Sequence, residues 1–414
     1  SWGALGPAQQ SILGDEATVN YLRGDRSNEG RLRIRQGVLG DIVHSQPVFV
    51  GRPNPRTYRG AKFNGASSYA SFPQRQSARR GVVYVGANDG RLHGFHASTG
   101  DEVFAFMPAA AINAQLRKLT SPDYEHRFFV DGELTVADVY SSRFGRWRSI
   151  LVGSMGRGGE AVFALDVTDP DDVEFLWEID TSGTPSIGNV LGKHIIAQVA
   201  NGDWRVLVGN GPNSAPGTAQ LITIGVESGW VDVASTRVPG DNGLSGVDAW
   251  DGNGDGFYET VYGGDLAGNL WRFERIGSPT VAAKRLFSAT DAGGRPQPIT
   301  VAPFLLRNPQ TRQLWLFFGT GRYLGDGDVA NRSEQTWYGV IDDGHLVPGR
   351  SALTPRRILA EVGNGNAPSL RVTSAAVAED MSGKDGWFLD LVSPVNGREG
   401  ERMVVPNRGA RGLL

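Results

Sequence analysis

The sequence predicts an all-β chain folded as a β-propeller of roughly seven blades. Glycine is abundant, at 57 of 414 residues, and charged residues make up only 21%, a composition suited to many tight turns between short strands. Helix-like periodicity is scarce. One hairpin phrase also recurs: residues 83–95 and 261–273 align without a gap as V-Y-x-G-x-x-x-G-x-L-x-x-F. Each copy reads as a strand, a glycine turn and a second strand with alternating apolar residues. Hairpins that recur along a chain signal a solenoid or propeller. An irregular array of β-sandwiches is the competing fold.

Near the N-terminus, Arg23-Gly24-Asp25 is an integrin-type recognition triplet. A chain of this composition contains one by chance in roughly one case in four, and the competing reading is a turn in which Asp25 caps or pairs with Arg26. Residues 52–80 and 276–298 read as long inter-blade segments, and extra material of this kind on a propeller usually decorates one face. His93 and His96 lie three apart on a predicted strand and so face opposite sides, which argues against a shared metal. The best helix candidate runs from Pro108 to Leu116, with proline in the first turn and good formers after it. Weaker copies of the hairpin follow at 150–153 leading into 161–166, 206–209 into 220–224, and 316–319 into 337–340.

The most informative local stretch is Asp251-Gly252-Asn253-Gly254-Asp255-Gly256-Phe257-Tyr258-Glu259. Oxygen-bearing side chains occupy alternate positions of a tight loop, which is how six to eight hard oxygen ligands are gathered around Ca2+. Asp251, Asn253 and Asp255 would give side-chain oxygens, Phe257 its backbone carbonyl, and Glu259 would close the set, with Gly256 allowing the turn. The EF-hand pattern is incomplete, because Tyr262 stands where a bidentate Glu belongs. The flanks read as strand, so this is an EF-hand-like calcium loop on a β scaffold. The competing reading is an Asp/Asn/Gly hairpin turn that binds nothing.

The formal net charge of −3 argues against a nucleic-acid partner, which calls for a basic excess. The absence of cysteine excludes disulfides, zinc–thiolate sites, iron–sulfur clusters and cysteine nucleophiles. No apolar run approaches the ~20 residues of a membrane span. Ser1-Trp2-Gly3 is no signal peptide and the chain does not begin with Met. We therefore read residues 1–414 as one propeller domain, a C-terminal fragment of a longer exported protein whose signal has been removed. No nucleophile elbow, zinc-protease or phosphate-loop motif appears, so no enzyme is expected. Two alternatives are a quinone-dependent dehydrogenase propeller, whose adjacent cysteine pair is missing here, and a purely structural module stiffened by calcium.

Several phrases together resemble the C-terminal domain of the PilY family, the type IV pilus biogenesis factors and tip adhesins. They are Tyr21-Leu22-Arg23-Gly24-Asp25-Arg26, Leu39-Gly40-Asp41-Ile42-Val43-His44-Ser45-Gln46-Pro47, residues 83–90 with 92–95, and residues 162–168, 264–273 and 319–325. The likeness runs from Tyr21 to Leu391. It implies a modified, quinoprotein-like propeller with a calcium loop matching at Asp251, Asn253, Asp255 and the Phe257 carbonyl. The family's last ligand is usually Asp, where this chain has Glu259. The resemblance further implies regulation of pilus extension against retraction, twitching motility, virulence, and attachment to surfaces or host cells. Expected partners are minor pilins and the assembly and retraction machinery, with a host-cell integrin for Arg23-Gly24-Asp25. The expected location is the cell surface or pilus tip, with periplasmic or outer-membrane association. The family's N-terminal region, often von Willebrand A-like, is not in this sequence.

Overall fold

The structure is a computed structural model and describes residues 1–363, 370–375 and 378–409. Five sheets follow one another along the chain, antiparallel throughout except for one parallel pair in the fifth. The first has β1 (Val48–Val50), β2 (Val82–Ala87), β3 (Arg91–His96) and β4 (Glu102–Phe106). The second has β5 (Leu134–Ser141), β6 (Arg146–Ser154), β7 (Ala161–Asp166) and β8 (Glu174–Asp180). The third has β9 (Ile195–Gln198), β10 (Trp204–Gly209), β11 (Gln220–Gly225) and β12 (Val231–Ser235). The fourth has β13 (Leu244–Trp250), β14 (Thr260–Asp265), β15 (Asn269–Glu274) and β16 (Ala282–Ser288). In these four sheets spatial order equals chain order. The fifth adds an insertion: β17 (Phe304–Arg307), β18 (Leu314–Gly319) and β19 (Thr336–Asp342) pair in order, and β23 (Gly386–Asp390) then follows beside β19. Within the insertion lie β20 (Thr354–Arg356), parallel to β23, and a separate ribbon of β21 (Ile358–Val362) and β22 (Leu370–Thr373).

Burial explains why the second and third strands read as nearly continuous apolar runs. In the second sheet Leu151, Phe163 and Leu165 pack against Val82 and Tyr84 of the first. Their neighbours Val152, Val162 and Ala164 pack the other way, against Val206 and Ile222 of the third. A sheet covered on both faces needs apolar residues at successive positions. The third and fourth sheets share a core around Leu207, Leu221, Val261 and Phe273, and the fourth and fifth one around Tyr262, Phe287, Leu316 and Tyr338. The sheets thus stack face to face as propeller blades, with the first strands of successive blades in contact. Met403 lies on the fifth blade, its N–H donating to the Thr320 carbonyl at 3.0 Å.

A glycine at or next to the end of the second strand has a steric reason in the first and third blades. A Cβ on Gly209 would lie 2.0 Å from the Ser245 carbonyl oxygen, and one on Gly86 would lie 2.3 Å from that of Val130. Backbone from the next connection or blade passes there, and only glycine admits it.

Two expectations are corrected. The described residues form five blades rather than roughly seven, because the extra length lies in long connections, residues 51–81 and 107–133 among them. The helix expected from Pro108 to Leu116 is broken into a 3-10 turn, Ala109–Ala111, and a short α4, Ala114–Arg117. Asn113 breaks it: its side-chain oxygen accepts from the N–H groups of Gln115 and Leu116 and starts a new helix. Helices α1 (Pro7–Leu13), α2 (Glu16–Leu22) and α3 (Ser71–Arg75) precede α4.

Candidate functional site

The loop from Asp251 to Glu259 closes the β13–β14 hairpin, where Trp250 pairs with Thr260. Its conformation is set by its own side chains. Asp251 accepts from the Gly254 N–H at 2.6 Å and the Gly256 N–H at 2.8 Å. The Asn253 oxygen accepts from the Asp255 N–H at 2.8 Å, and Asp255 from the Phe257 N–H at 2.9 Å. Glu259 reaches back to the Gly252 N–H at 3.2 Å and the Asn253 amide at 3.4 Å. Gly254 and Gly256 turn the chain at φ of 76° and 93°. As a result one carboxylate oxygen each from Asp251, Asp255 and Glu259 lie within 4.8 Å of one another.

Three like charges at that spacing repel, by ~1 kcal/mol per pair even in a water-like dielectric. Half-buried carboxylates converging in this way fit a hard divalent cation. Asn253 lies beside Glu259, to which its amide nitrogen donates. The Phe257 side chain turns inward, its ring 6.3 Å from that of Phe63, so the apolar residue at this position is a packing residue. Burial, then the charges of Asp251 and Asp248, push the Tyr258 hydroxyl up.

The loop is also held from outside, by residues that sequence reasoning missed. The Lys62 N–H donates to the Asp255 carbonyl at 2.8 Å. Arg307 of β17 donates to the Gly252 carbonyl at 2.9 Å, with its guanidinium 5.1 Å over the Trp250 ring. Nothing local in the sequence marks these partners; the unusual length of residues 52–80 was the only signal.

Arg23-Gly24-Asp25 sits apart from this loop, at the end of α2. Arg23 and Asp25 are exposed, and Gly24 turns the chain at φ 103°. Asp25 accepts from the Ser27 N–H at 2.7 Å, which holds its carboxyl below the usual range. The expected cap therefore forms. The alternative pairing of Asp25 with Arg26 does not, because Arg26 pairs with Glu29 at 3.0 Å.

The histidines are separate. His93 is buried, with Asp89 at 3.0 Å and Glu102 close to its other nitrogen; these carboxylates raise its pKa against the effect of burial. His96 contacts Thr99 instead. His194 is buried, its two ring nitrogens without a hydrogen-bond partner among the described residues, and burial, then Lys193, push it down to about 4.

A cavity of about 470 Å³ opens at the other end of the blades, with Arg157, Leu191, Asn213, Leu266 and Leu324 in its lining. Leu266 belongs to the β14–β15 turn, so cavity and acidic loop lie at opposite ends of β14.

The model of the PilY1 beta-propeller domain family matches residues 39–282 and 280–360. The chain belongs to this family. It is 48% identical over 399 residues to a type IV pilus biogenesis factor PilY1 homolog of Xylella fastidiosa, covering 95% of this chain and 32% of that protein. It is 35% identical over 467 aligned positions to type IV pilus biogenesis factor PilY1 of Pseudomonas aeruginosa strain PAK, covering 98% of this chain and 40% of that protein. The chain thus spans about a third to two-fifths of the length of these PilY1 relatives. Among solved structures, the P. aeruginosa PilY1 C-terminal domain superposes with a TM-score of 0.70 at 31% identity, covering 86% of this chain and 80% of that one. No helix among the described residues is long and apolar enough to cross a membrane.

Proposed function

We propose that this PilY1-type propeller serves type IV pilus biogenesis as a calcium-responsive module at the cell surface or pilus tip. Within the pilus it would contact minor pilins and the machinery of extension and retraction. The observation that supports calcium is the convergence of Asp251, Asp255 and Glu259 in a loop whose backbone is already turned for it. These three, with Asn253 and the Phe257 carbonyl, would hold the ion; when bound, it supplies positive charge that cancels their repulsion. Three half-buried carboxylates in a glycine-bearing loop fit a dissociation constant on the order of micromolar to millimolar. Isothermal titration calorimetry of calcium into the chelator-stripped chain, beside Asp255→Asn, tests the site. Saturable one-site binding lost in the variant is the expected outcome. In the source organism, normal piliation and twitching of the Asp255→Asn strain would refute the regulatory role.

The same reading assigns attachment to the exposed Arg23-Gly24-Asp25 turn, with integrin as the host partner. Changing Asp25→Glu keeps the charge and alters the triplet. Host-cell adhesion is expected to fall, and unchanged adhesion would remove integrin from the partners.

A further inference from the structure

The connection between β1 and β2, residues 51–81, carries seven basic side chains and no acidic one, in a chain whose net charge is −3. Arg52, Arg56, Arg59, Lys62 and Arg75 are exposed and make no ion pair among the described residues. Only Arg80 pairs, with Asp171. No large apolar side chain of the connection is exposed. It is a strap with a uniformly basic outer face.

Its inner face is aromatic and fixed. Tyr58 stacks on Trp147 of the second blade at 5.1 Å and meets Trp204 of the third edge-on at 5.7 Å. Its hydroxyl donates to the Asp138 carbonyl, and the Tyr69 hydroxyl to the Asp138 carboxylate, both at 2.5 Å. Phe63, Tyr69 and Phe72 are buried in the same cluster. The strap therefore spans the first three blades as a rigid element, with its cations at set positions.

Its midpoint rests on the acidic loop of the fourth blade. Both segments connect a first strand to a second, so they emerge at the same end. The Lys62 N–H bonds to the Asp255 carbonyl. A Cβ on Gly256 would lie 3.0 Å from both Ala61 Cβ and Phe63 Cδ1, and Phe63 packs edge-on against Phe257. Three consecutive loop residues thus seat three consecutive strap residues. The loop shape that gathers the carboxylates is also the shape that offers this seat.

We propose that the strap is a docking surface for a carboxylate-rich protein segment, and that the calcium loop holds its midpoint in register. Four of the five exposed cations are arginine, whose fork suits carboxylates. Fixed positions and the lack of exposed apolar groups favour an acidic protein segment over a membrane. The holding role rests on the calcium reading above. Where ordering the loop favours the seated strap, calcium favours seating, and a seated strap raises calcium affinity by the same factor.

Docking is tested by fluorescence anisotropy with a labelled octaglutamate peptide. The triple variant Arg56→Gln/Arg59→Gln/Lys62→Gln keeps the backbone donor of residue 62. We expect binding that weakens steeply with salt and falls on the order of tenfold in the variant. Equal binding by the variant would overturn docking, as would binding to phosphatidylglycerol vesicles with none to the peptide. Holding is tested by hydrogen exchange with and without calcium. The amides of residues 58–66 are expected to slow on the order of tenfold, with the Asn213 amide at the far end unchanged. Calorimetric binding without that slowing would overturn holding and leave the calcium site standing. No calorimetric binding would overturn the site and holding together, leaving docking to the peptide result.

Discussion

Asp255→Asn should raise the stability of the calcium-free chain and lower that of the calcium-saturated one. The carboxylate oxygens of Asp251, Asp255 and Glu259 lie within 4.8 Å. At that distance each pair repels by ~0.9 kcal/mol in a water-like dielectric, and salt near 0.15 M screens this to about half. Asp255 takes part in two of the three pairs, so its neutralisation relieves about 1 kcal/mol. Asparagine keeps an oxygen for the Phe257 N–H, so the loop's own hydrogen bond survives. With calcium at a hundredfold excess over the dissociation constant the wild type gains about 2.7 kcal/mol. The variant has lost one of three charges and gains little. An unfolding entropy of ~2.1 cal/mol/K per residue over 414 residues gives ~0.9 kcal/mol per degree. The two melting curves should therefore cross: in chelator the variant melts about 1 °C higher, and in calcium about 2 °C lower. Differential scanning calorimetry in both conditions decides. A variant less stable than wild type in chelator, or one with the full calcium shift, would refute the electrostatic account.

Two further outcomes test the fold. Gly209→Ala puts a methyl 2.0 Å from the Ser245 carbonyl oxygen between the third and fourth blades. It should cost about 3 kcal/mol, whereas Gly183→Ala, with nothing within 4 Å, should stay within about 0.5 kcal/mol; urea unfolding of the pair checks this. The acid limb of stability should reflect His194. It stays neutral in the fold down to about 4 but titrates near 6.5 when unfolded. Its contribution, roughly 3 kcal/mol by that difference, is complete above pH 6.5 and is lost as pH falls toward 4. Burial pushes Asp248 up to about 6, which acts oppositely: its contribution is present below pH 3.8 and fades as pH rises through 6. His194→Leu should therefore flatten the acid loss between pH 4.5 and 7, and Asp248→Asn should steepen it. Parallel profiles for both variants and the wild type would show that neither group titrates as its burial requires.

Five hairpin phrases stand in the sequence, and each became the second and third strands of one blade: β2–β3, β6–β7, β10–β11, β14–β15 and β18–β19. Local pattern thus located the blade strands well, while the expected count of roughly seven overshot the five. The acidic loop was legible for the same reason, since its carboxylates are neighbours in the chain and their convergence is a property of one hairpin. Helix α2 carries a readable N-cap, Asp15, whose carboxylate accepts from the Thr18 N–H at 2.7 Å. Scarce periodicity over two turns hid it. The role of residues 51–81 was not legible. Tyr58, Phe63, Tyr69 and Phe72 stand among Pro, Gly, Ser and Arg with no period, and their partners Trp147 and Trp204 come from two other blades. Only tertiary packing turns those scattered aromatics into an anchored strap.

Whole-chain charge concealed what its distribution contains. A near-neutral sum argues against a polyanion partner only if the charges are mixed, and at this end of the propeller they are not. The loop places three carboxylates together, and the strap beside it carries seven cations with no acid among them. Opposite charges so segregated attract across the Lys62–Asp255 contact and would favour closure of the strap on the loop even without an ion. A cation on the loop cancels that attraction while it removes the repulsion within the loop. The two effects oppose each other, and salt separates them: screening weakens the strap-to-loop attraction and the carboxylate repulsion together but leaves the Lys62 hydrogen bond and the Phe63–Phe257 contact in place. If those short-range contacts carry the coupling, the effect of calcium on strap exchange survives at 0.5 M salt; if long-range charge carries it, the effect vanishes there.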